Sequence, residues 1–382
     1  MCVLVNEPAN PALEDMENES LATLTGRLAR ACAEPLLCFI LPVSTFLFLK
    51  SGPHGGFAAL LWTLPVWLCV AADYFGPADR RAPWVFVPQW GLDARLAVLF
   101  VLQWVNIVLL LDVGRRLAWG GPVEFAASAA NVAALRILVG TNSCCSALAV
   151  AHELVHRRGR HWRWMGRMLL WTVCYDHFAL VHGRGHHRLA STLADPATAR
   201  FGERFGDFLK RSVAGQWADA WRVESRRLRG ASRQGLGLWL RHRVLHGLLA
   251  EAALLGWISA CFGGVALLLF LYQAFAAVRL LEAVNYVQHW GLVRAGPGFG
   301  PADAWSCDSW FTLHAFIGLS RHADHHARGG KPSACLLHLE ESPRLPKGYF
   351  VMALWIRLSN DRFIGLATLE LESKGLGPFR PR

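Results

Sequence analysis

Ala151-His152-Glu153-Leu154-Val155-His156, followed about thirty residues later by His182-Gly183-Arg184-Gly185-His186-His187, is the stretch from which the rest of the chain is read. On a helix His152 and His156 lie four positions apart, about one turn, so both imidazoles are expected to face a single ion. His182 and His186 repeat that spacing, and His187 offers a neighbouring ligand. Far downstream come His289, within Asn285-Tyr286-Val287-Gln288-His289-Trp290-Gly291, and His322-Ala323-Asp324-His325-His326, whose steps of three and four share one helical face. Nine of the sixteen histidines therefore fall into four clusters. One tetrahedral ion needs only about four ligands, whereas a pair of ions with about five each uses most of nine.

The other histidines, His54, His161, His177, His242, His246, His314 and His338, stand alone, and a lone histidine is more often a surface or hydrogen-bonded residue than a ligand. His152-Glu153-x-x-His156 by itself is also the zincin signature, in which two histidines hold zinc and the glutamate is general base. The longer metzincin pattern fails here, because His161 falls one residue early after Gly159. A protease would also leave the seven downstream clustered histidines without a task. A pair of irons held by neutral imidazoles suits oxygen activation and attack on an unactivated carbon. Ligands placed where spans leave the bilayer let an apolar substrate arrive through the membrane while electrons come from the cytosol.

Hydrophobic patterning sets the fold class, with 53% of residues hydrophobic. An almost uncharged run from about Ala33 to Leu49 ends at Lys50, a second covers Gly56 to Ala72, and a third Leu96 to Leu111. A fourth runs from about Phe125 into Ala151 and so delivers His152 at its end. Leu245 to Val284 is apolar over about forty residues and interrupted at Gly263-Gly264, too long for one span and suited to a hairpin of two. The expectation is an all-α polytopic membrane protein with about six transmembrane helices and a cytosolic histidine-rich region for two irons. Met1 to about Arg30 is polar and acidic, with no basic region ahead of an apolar core, and reads as a cytosolic lead-in rather than a signal peptide.

An even number of spans puts both termini on one side. Between Glu153 and Arg243 there are eighteen Lys plus Arg against seven Asp plus Glu, and Arg80 and Arg81 follow the second run, so this side is expected to be cytosolic. Arg115 and Arg116 fall on the opposite side and count against it. The net charge of +11 is concentrated beside the spans, where anionic membrane lipid is a simpler partner than nucleic acid, and no nucleic-acid role is expected. The ten cysteines include no Cys-x-x-Cys pair, so no structural disulfide and no iron-sulfur or rubredoxin-type centre is expected in the chain itself.

His152-Glu-Leu-Val-His156, His182-Gly-Arg-Gly-His186-His187, Asp195-Pro-Ala-Thr-Ala-Arg200, Asn285-Tyr-Val-Gln-His289-Trp-Gly-Leu292 and Arg321-His-Ala-Asp-His-His326 resemble, in order, the boxes of the membrane-bound alkane 1-monooxygenases and the related xylene monooxygenase hydroxylase subunits. The likeness covers about residues 35 to 355. It implies an inner-membrane, multi-pass protein with a non-haem di-iron centre that hydroxylates a terminal or benzylic C–H with O2. Rubredoxin or a flavin/iron-sulfur reductase would be the separate electron donor. The ligands it implies are His152, His156, His182, His186, His187, His289, His322, His325 and His326. Where that family often carries Glu before the second box, and Glu with Tyr around the histidine of the Asn-Tyr box, this chain has Val181, Gln288 and Trp290, so an n-alkane is not asserted.

On this reading the chain divides into a polar cytosolic segment 1–32, a six-span di-iron hydroxylase domain 33–357 with cytosolic regions 152–243 and 285–357, and a C-terminal tail 358–382. A ligating imidazole usually gives its other N–H to a carboxylate or carbonyl, and Glu153, Asp195, Asn285 and Asp324 are the candidates nearest the boxes. Trp62 and Trp67 could line an apolar channel, although a tryptophan near a span end is more often an interface anchor. Gly55, Gly56, Gly263 and Gly264 are expected in turns. A fatty-acyl desaturase, which uses a similar di-iron site, and a non-catalytic metal carrier are the other classes. The Asn-Tyr-x-x-His-x-Gly box favours hydroxylation over the first, and the scarcity of acidic residues in the spans speaks against the second.

Overall fold

The computed structural model describes residues 21–82, 89–229, 239–294 and 296–380, and among them the regular structure is helical apart from two isolated bridges. Residues 1–20 of the expected N-terminal segment, and 83–88 of the loop after the second span, lie outside the described residues. Five helical stretches are long and apolar enough to cross a membrane: Ala29–Ser51, Gly56–Phe75, Gln89–Arg116, Pro122–His156 and Arg243–His289. Large apolar side chains such as Phe57, Leu249, Leu268 and Phe275 remain exposed on them, as a lipid-facing surface requires.

The expected fifth and sixth spans form one continuous stretch of 47 residues that breaks at Gly263, where φ is 82° and ψ 176°. Glycine alone adopts such a backbone cheaply. In a straight helix Glu251 and Gln273 would stand about 33 Å apart. Yet the Asp176 N–H donates to Glu251 Oε1 at 2.9 Å and Gln273 Nε2 donates to the Thr172 carbonyl at 2.7 Å. Both arms thus reach the same short segment, and the stretch is folded back on itself.

Polar glue and close backbone approach hold the helices together, since apolar burial contributes little between lipid-embedded surfaces. Gln103, fully buried, donates to Ser143 Oγ and Thr172 Oγ1, each at 3.2 Å, and accepts from Ser146 Oγ at 2.6 Å. A Cβ on Gly140 would lie 2.4 Å from Ala276 Cβ, and one on Gly114 2.9 Å from Ala266 Cα. Gly140→Val should therefore separate helix Pro122–His156 from the second arm of the hairpin, at a cost of about 2 kcal/mol or more. A thermal-unfolding scan in detergent, with exposed Gly256→Val as the comparison, would register this as a lowered midpoint for the first variant alone.

At the end of the second stretch, buried Asp73 accepts from Ser309 Oγ at 2.5 Å, Thr312 Oγ1 at 2.7 Å and the Phe350 N–H at 2.9 Å. It thereby fixes the starts of helices Trp310–Ala315 and Tyr349–Leu358. Residues 358–380 are packed rather than trailing: helix Asn360–Ser373 sets Phe363 against Tyr286 and Trp290. Cys335 is disulfide-bonded, contrary to the expectation of no structural disulfide, which rested on the absence of a Cys-x-x-Cys pair.

Candidate metal centre

The first two histidines stand at the end of helix Pro122–His156. Its middle is wound twice into wider π-type turns, Leu135–Val139 and Cys144–Leu148, before the α segment Ala149–His156 presents His152 and His156 one turn apart, with ring centroids 5.1 Å from each other. A third π turn, His182–His186, decides how the second box is used. The His187 N–H reaches back to the His182 carbonyl, five residues earlier, so residues five apart share a side. His182 and His187 accordingly bring their Nε2 atoms to 3.0 Å, and His186 points elsewhere. The expectation that His182 and His186 face one ion is corrected by this winding.

Helix His322–Ala327 divides its histidines in the same way. His325 Nε2 lies 3.1 Å from His187 Nε2, whereas His322 Nε2 lies 3.0 Å from His289 Nε2. The result is two groups whose ligand atoms lie within 4.8 Å of one another: His152, His156, His182, His187 and His325 in one, and His186, His289, His322 and His326 in the other. They share a wall, since the His187 and His326 rings stack with centroids 4.3 Å apart.

Imidazole nitrogens that face each other with nothing between them make a poor protein interior. His156 Nε2, His186 Nε2 and both ring nitrogens of His326 are buried without a hydrogen-bond partner among the described residues. Burial first, and then the charges of neighbouring imidazoles, push the pKa values of His182, His187, His322, His325 and His326 well below the usual histidine range. Neutral rings keep a lone pair free for a metal, and an all-nitrogen donor set of this size fits a pair of borderline divalent ions such as ferrous iron. The groups needed for the metal are present and oriented.

Of the four acceptors expected near the boxes, Asp195 is in place: its Oδ2 accepts from His186 Nδ1 at 2.9 Å, and from Thr198 Oγ1 at 2.7 Å. Burial opposes the charged carboxylate, but His186 and these hydrogen bonds hold its pKa below the usual range. The ring is thereby fixed with Nε2 toward the second group. Glu153 instead accepts from the Ser333 N–H at 3.2 Å and from Arg157, Asp324 accepts from Lys331 Nζ and the Leu337 N–H at 2.8 Å each, and Asn285 donates to Glu282. These three brace the elements that carry ligands and, among the described residues, make no hydrogen bond to a ligand ring. Asp195→Ala should weaken iron binding about 10- to 100-fold, measurable by competition with a chelator, while Asn285→Ala should not.

Some organising residues left no sequence signal. Glu282 is fully buried and accepts from Tyr175 Oη, Ser212 Oγ and Gln216 Nε2, tying Phe205–Arg229 to the helix that bears His289. A further group, Glu34, Asp79 and His314, is already engaged by cations, because Arg81 pairs with both carboxylates at 2.7 and 2.5 Å and Arg321 lies 3.9 Å from Asp79. A largely apolar cavity of about 400 Å³, bounded by Trp67, Cys145, Val284, Phe316 and Tyr349, lies between the helices that lead to His152 and His289. Tyr349 Oη accepts from Gln288 Nε2 at 2.6 Å, which joins the cavity wall to the residue before His289. Trp62 packs instead on Phe48 and His54.

A family model described as fatty acid desaturase matches residues 126–352, which include all nine histidines. The chain belongs to that family. Among curated proteins, this desaturase-family chain is 37% identical over 222 residues to alkane 1-monooxygenase 1 of Pseudomonas aeruginosa, covering 56% of this chain and 58% of that protein. It is 34% identical over 230 residues to the alkane 1-monooxygenase of Acinetobacter baylyi, covering 56% of each. The xylene/toluene monooxygenase hydroxylase component of Pseudomonas putida is 25% identical over 317 residues, 82% of this chain and 83% of that one. The chain thus spans less than two thirds of the length of the alkane monooxygenases it matches.

Proposed function

We propose that the protein is an integral membrane monooxygenase that holds two irons and hydroxylates a terminal or benzylic C–H of a hydrophobic substrate. The observation that carries this reading is the pair of adjoining histidine groups, with a largely apolar cavity between the helices that lead to His152 and His289. The proposed ligands are His152, His156, His182, His187 and His325 for one ion and His186, His289, His322 and His326 for the other. Iron bound there would supply the oxidising power that O2 activation needs. The chain does the rest. Its cavity takes the apolar body of the substrate, Tyr349 and Gln288 fix the wall nearest the centre, burial of the rings excludes water, and Asp195 holds the proton on His186 Nδ1.

Each turnover uses one O2, an electron pair and two protons; one oxygen enters the alcohol and the other leaves as water. The electron pair comes from a separate donor, rubredoxin or a flavin/iron-sulfur reductase, received on the basic cytosolic surface that includes Arg160, Arg163 and Arg241. Six crossings with both termini cytosolic, in an inner membrane, fit the fold-back at Gly263. Arg115 and Arg116, the residues that oppose this orientation, are both paired to Asp112, at 2.8 and 2.9 Å, which reduces their weight.

Product analysis under 18-O labelled oxygen, in cells co-expressing a rubredoxin and its reductase, tests the reading. Labelled alcohol is expected from an alkane, an alkyl aromatic or an acyl chain. An unlabelled alkene would replace it with the desaturation that the family name describes.

A further inference from the structure

A line of aromatic rings runs from the five-histidine group outward. Phe178 stacks on His182 with centroids 4.7 Å apart and an interplanar angle of 21°, and stands 6.3 Å from His152. Tyr175 follows at 6.3 Å from Phe178, His177 at 4.3 Å from Tyr175, and half-buried Trp217 stacks on His177 at 4.4 Å. Trp221 lies four residues beyond Trp217 on helix Phe205–Arg229, one turn along the same face, and both pack on one small apolar cluster. The line reaches solvent through His242, 4.5 Å from Trp221 and 6.1 Å from Trp239, which is 58% exposed.

Two features set this line apart from ordinary aromatic packing. His177 and His242 are buried with both ring nitrogens unpartnered among the described residues, so each contributes a flat ring face and no hydrogen bond. That is an arrangement buried polar groups normally avoid. Tyr175, in turn, ends on an acid: of the five tyrosines it is the one, among the described residues, whose hydroxyl donates to a carboxylate, Glu282 Oε1 at 3.1 Å. Ser212, Gln216 and Asn285 also donate to Glu282, so the carboxylate is ringed by donors and placed to receive a proton. Electron-rich indole and phenol rings are among the side chains most readily oxidised by one electron. For a phenol the step needs a base at the hydroxyl, because the oxidised ring is a strong acid.

We propose that Tyr175 and Trp217 form a redox relay that discharges oxidising equivalents from the histidine centre to the surface when O2 has reacted there and no substrate C–H is in place. The proposal rests on the reading of the centre as iron that activates O2, and adds a second outlet for its oxidising power. Tyr175 gives an electron to the centre by way of the Phe178 and His182 rings and its phenolic proton to Glu282, becoming a neutral radical. Trp217 then returns an electron through His177 while Glu282 returns the proton, which restores Tyr175. The electron missing from Trp217 is supplied by a soluble thiol by way of Trp239 and Trp221. Two such passages deliver an electron pair to the centre and join two thiols in a disulfide, and the two thiol protons balance the water that the reduced oxygen forms.

The test is freeze-quench electron paramagnetic resonance of the iron-loaded full chain in phosphatidylcholine nanodiscs, chemically reduced, free of substrate and mixed with O2. A tyrosyl radical signal is expected, narrowed in chain made with ring-deuterated tyrosine, lost in Tyr175→Phe and longer-lived in Trp217→Phe, with iron content the same in every chain. After substrate-free turnover with glutathione present, mass spectrometry should find more oxidised His152 and His182 in Tyr175→Phe than in the native chain. A signal that survives in Tyr175→Phe, or one that deuterated tyrosine leaves unchanged, would overturn the relay. If Tyr175→Phe fails to hold iron, an unchanged decay of the signal in Trp217→Phe would overturn it equally. Labelled alcohol in the product assay with no radical would remove the relay alone. The radical without labelled alcohol would remove the monooxygenase and leave the relay.

Discussion

His289→Ala should reduce bound iron from about two to about one per chain and take hydroxylation to background, while the protein still inserts and purifies as the native chain does. His289 belongs to the four-membered group, where His322 Nε2 stands 3.0 Å from its own Nε2 and few other donors are at hand. His156→Ala removes one of five from the other group, and that ion, left with about four ligands, should be held more weakly rather than lost. Iron assays on both variants after mild chelation would show the asymmetry. Equal retention of iron by both would contradict the five-and-four division of the ligands.

Gly318→Val should be among the most damaging changes that touch no histidine. Gly318 has φ of +96°, and a Cβ there would lie 2.3 Å from the Ser333 carbonyl oxygen. The loop it starts carries His322, His325 and His326, which serve both groups, so strain and clash together should cost about 3 kcal/mol or more and release both irons. Gly330→Val, in the same loop but with open space around the new side chain, should retain iron and unfolding midpoint. Metal content and thermal unfolding, measured side by side, check the pair. Loss in both variants would mean general intolerance of the loop, and loss in neither would mean that the loop is not braced at Ser333.

Much of this was legible in the sequence because its signals are dense and local. Five apolar stretches and four histidine clusters need only composition and spacing, and Gly263-Gly264 marked the fold-back of the longest stretch. Which histidines share an ion was not legible, since the i, i+4 rule assumes α winding and the π turn at His182–His186 exchanges His186 for His187. Asp195 was found by lying near a box; Glu153, Asn285 and Asp324 lie as near and point elsewhere. Asp73 acts through Ser309 and Thr312, more than two hundred residues away, and Glu282 through Ser212 and Tyr175, 70 and 107 residues away, and single carboxylates carry no periodic signal.

The most direct test of the two-iron centre is Mössbauer spectroscopy of the full chain produced with 57-Fe, combined with its metal content. Five histidines on one side and four on the other should give about two irons per chain in two distinguishable signals of equal area, and His289→Ala should remove one of them. A single iron per chain, or zinc in its place, would contradict the account.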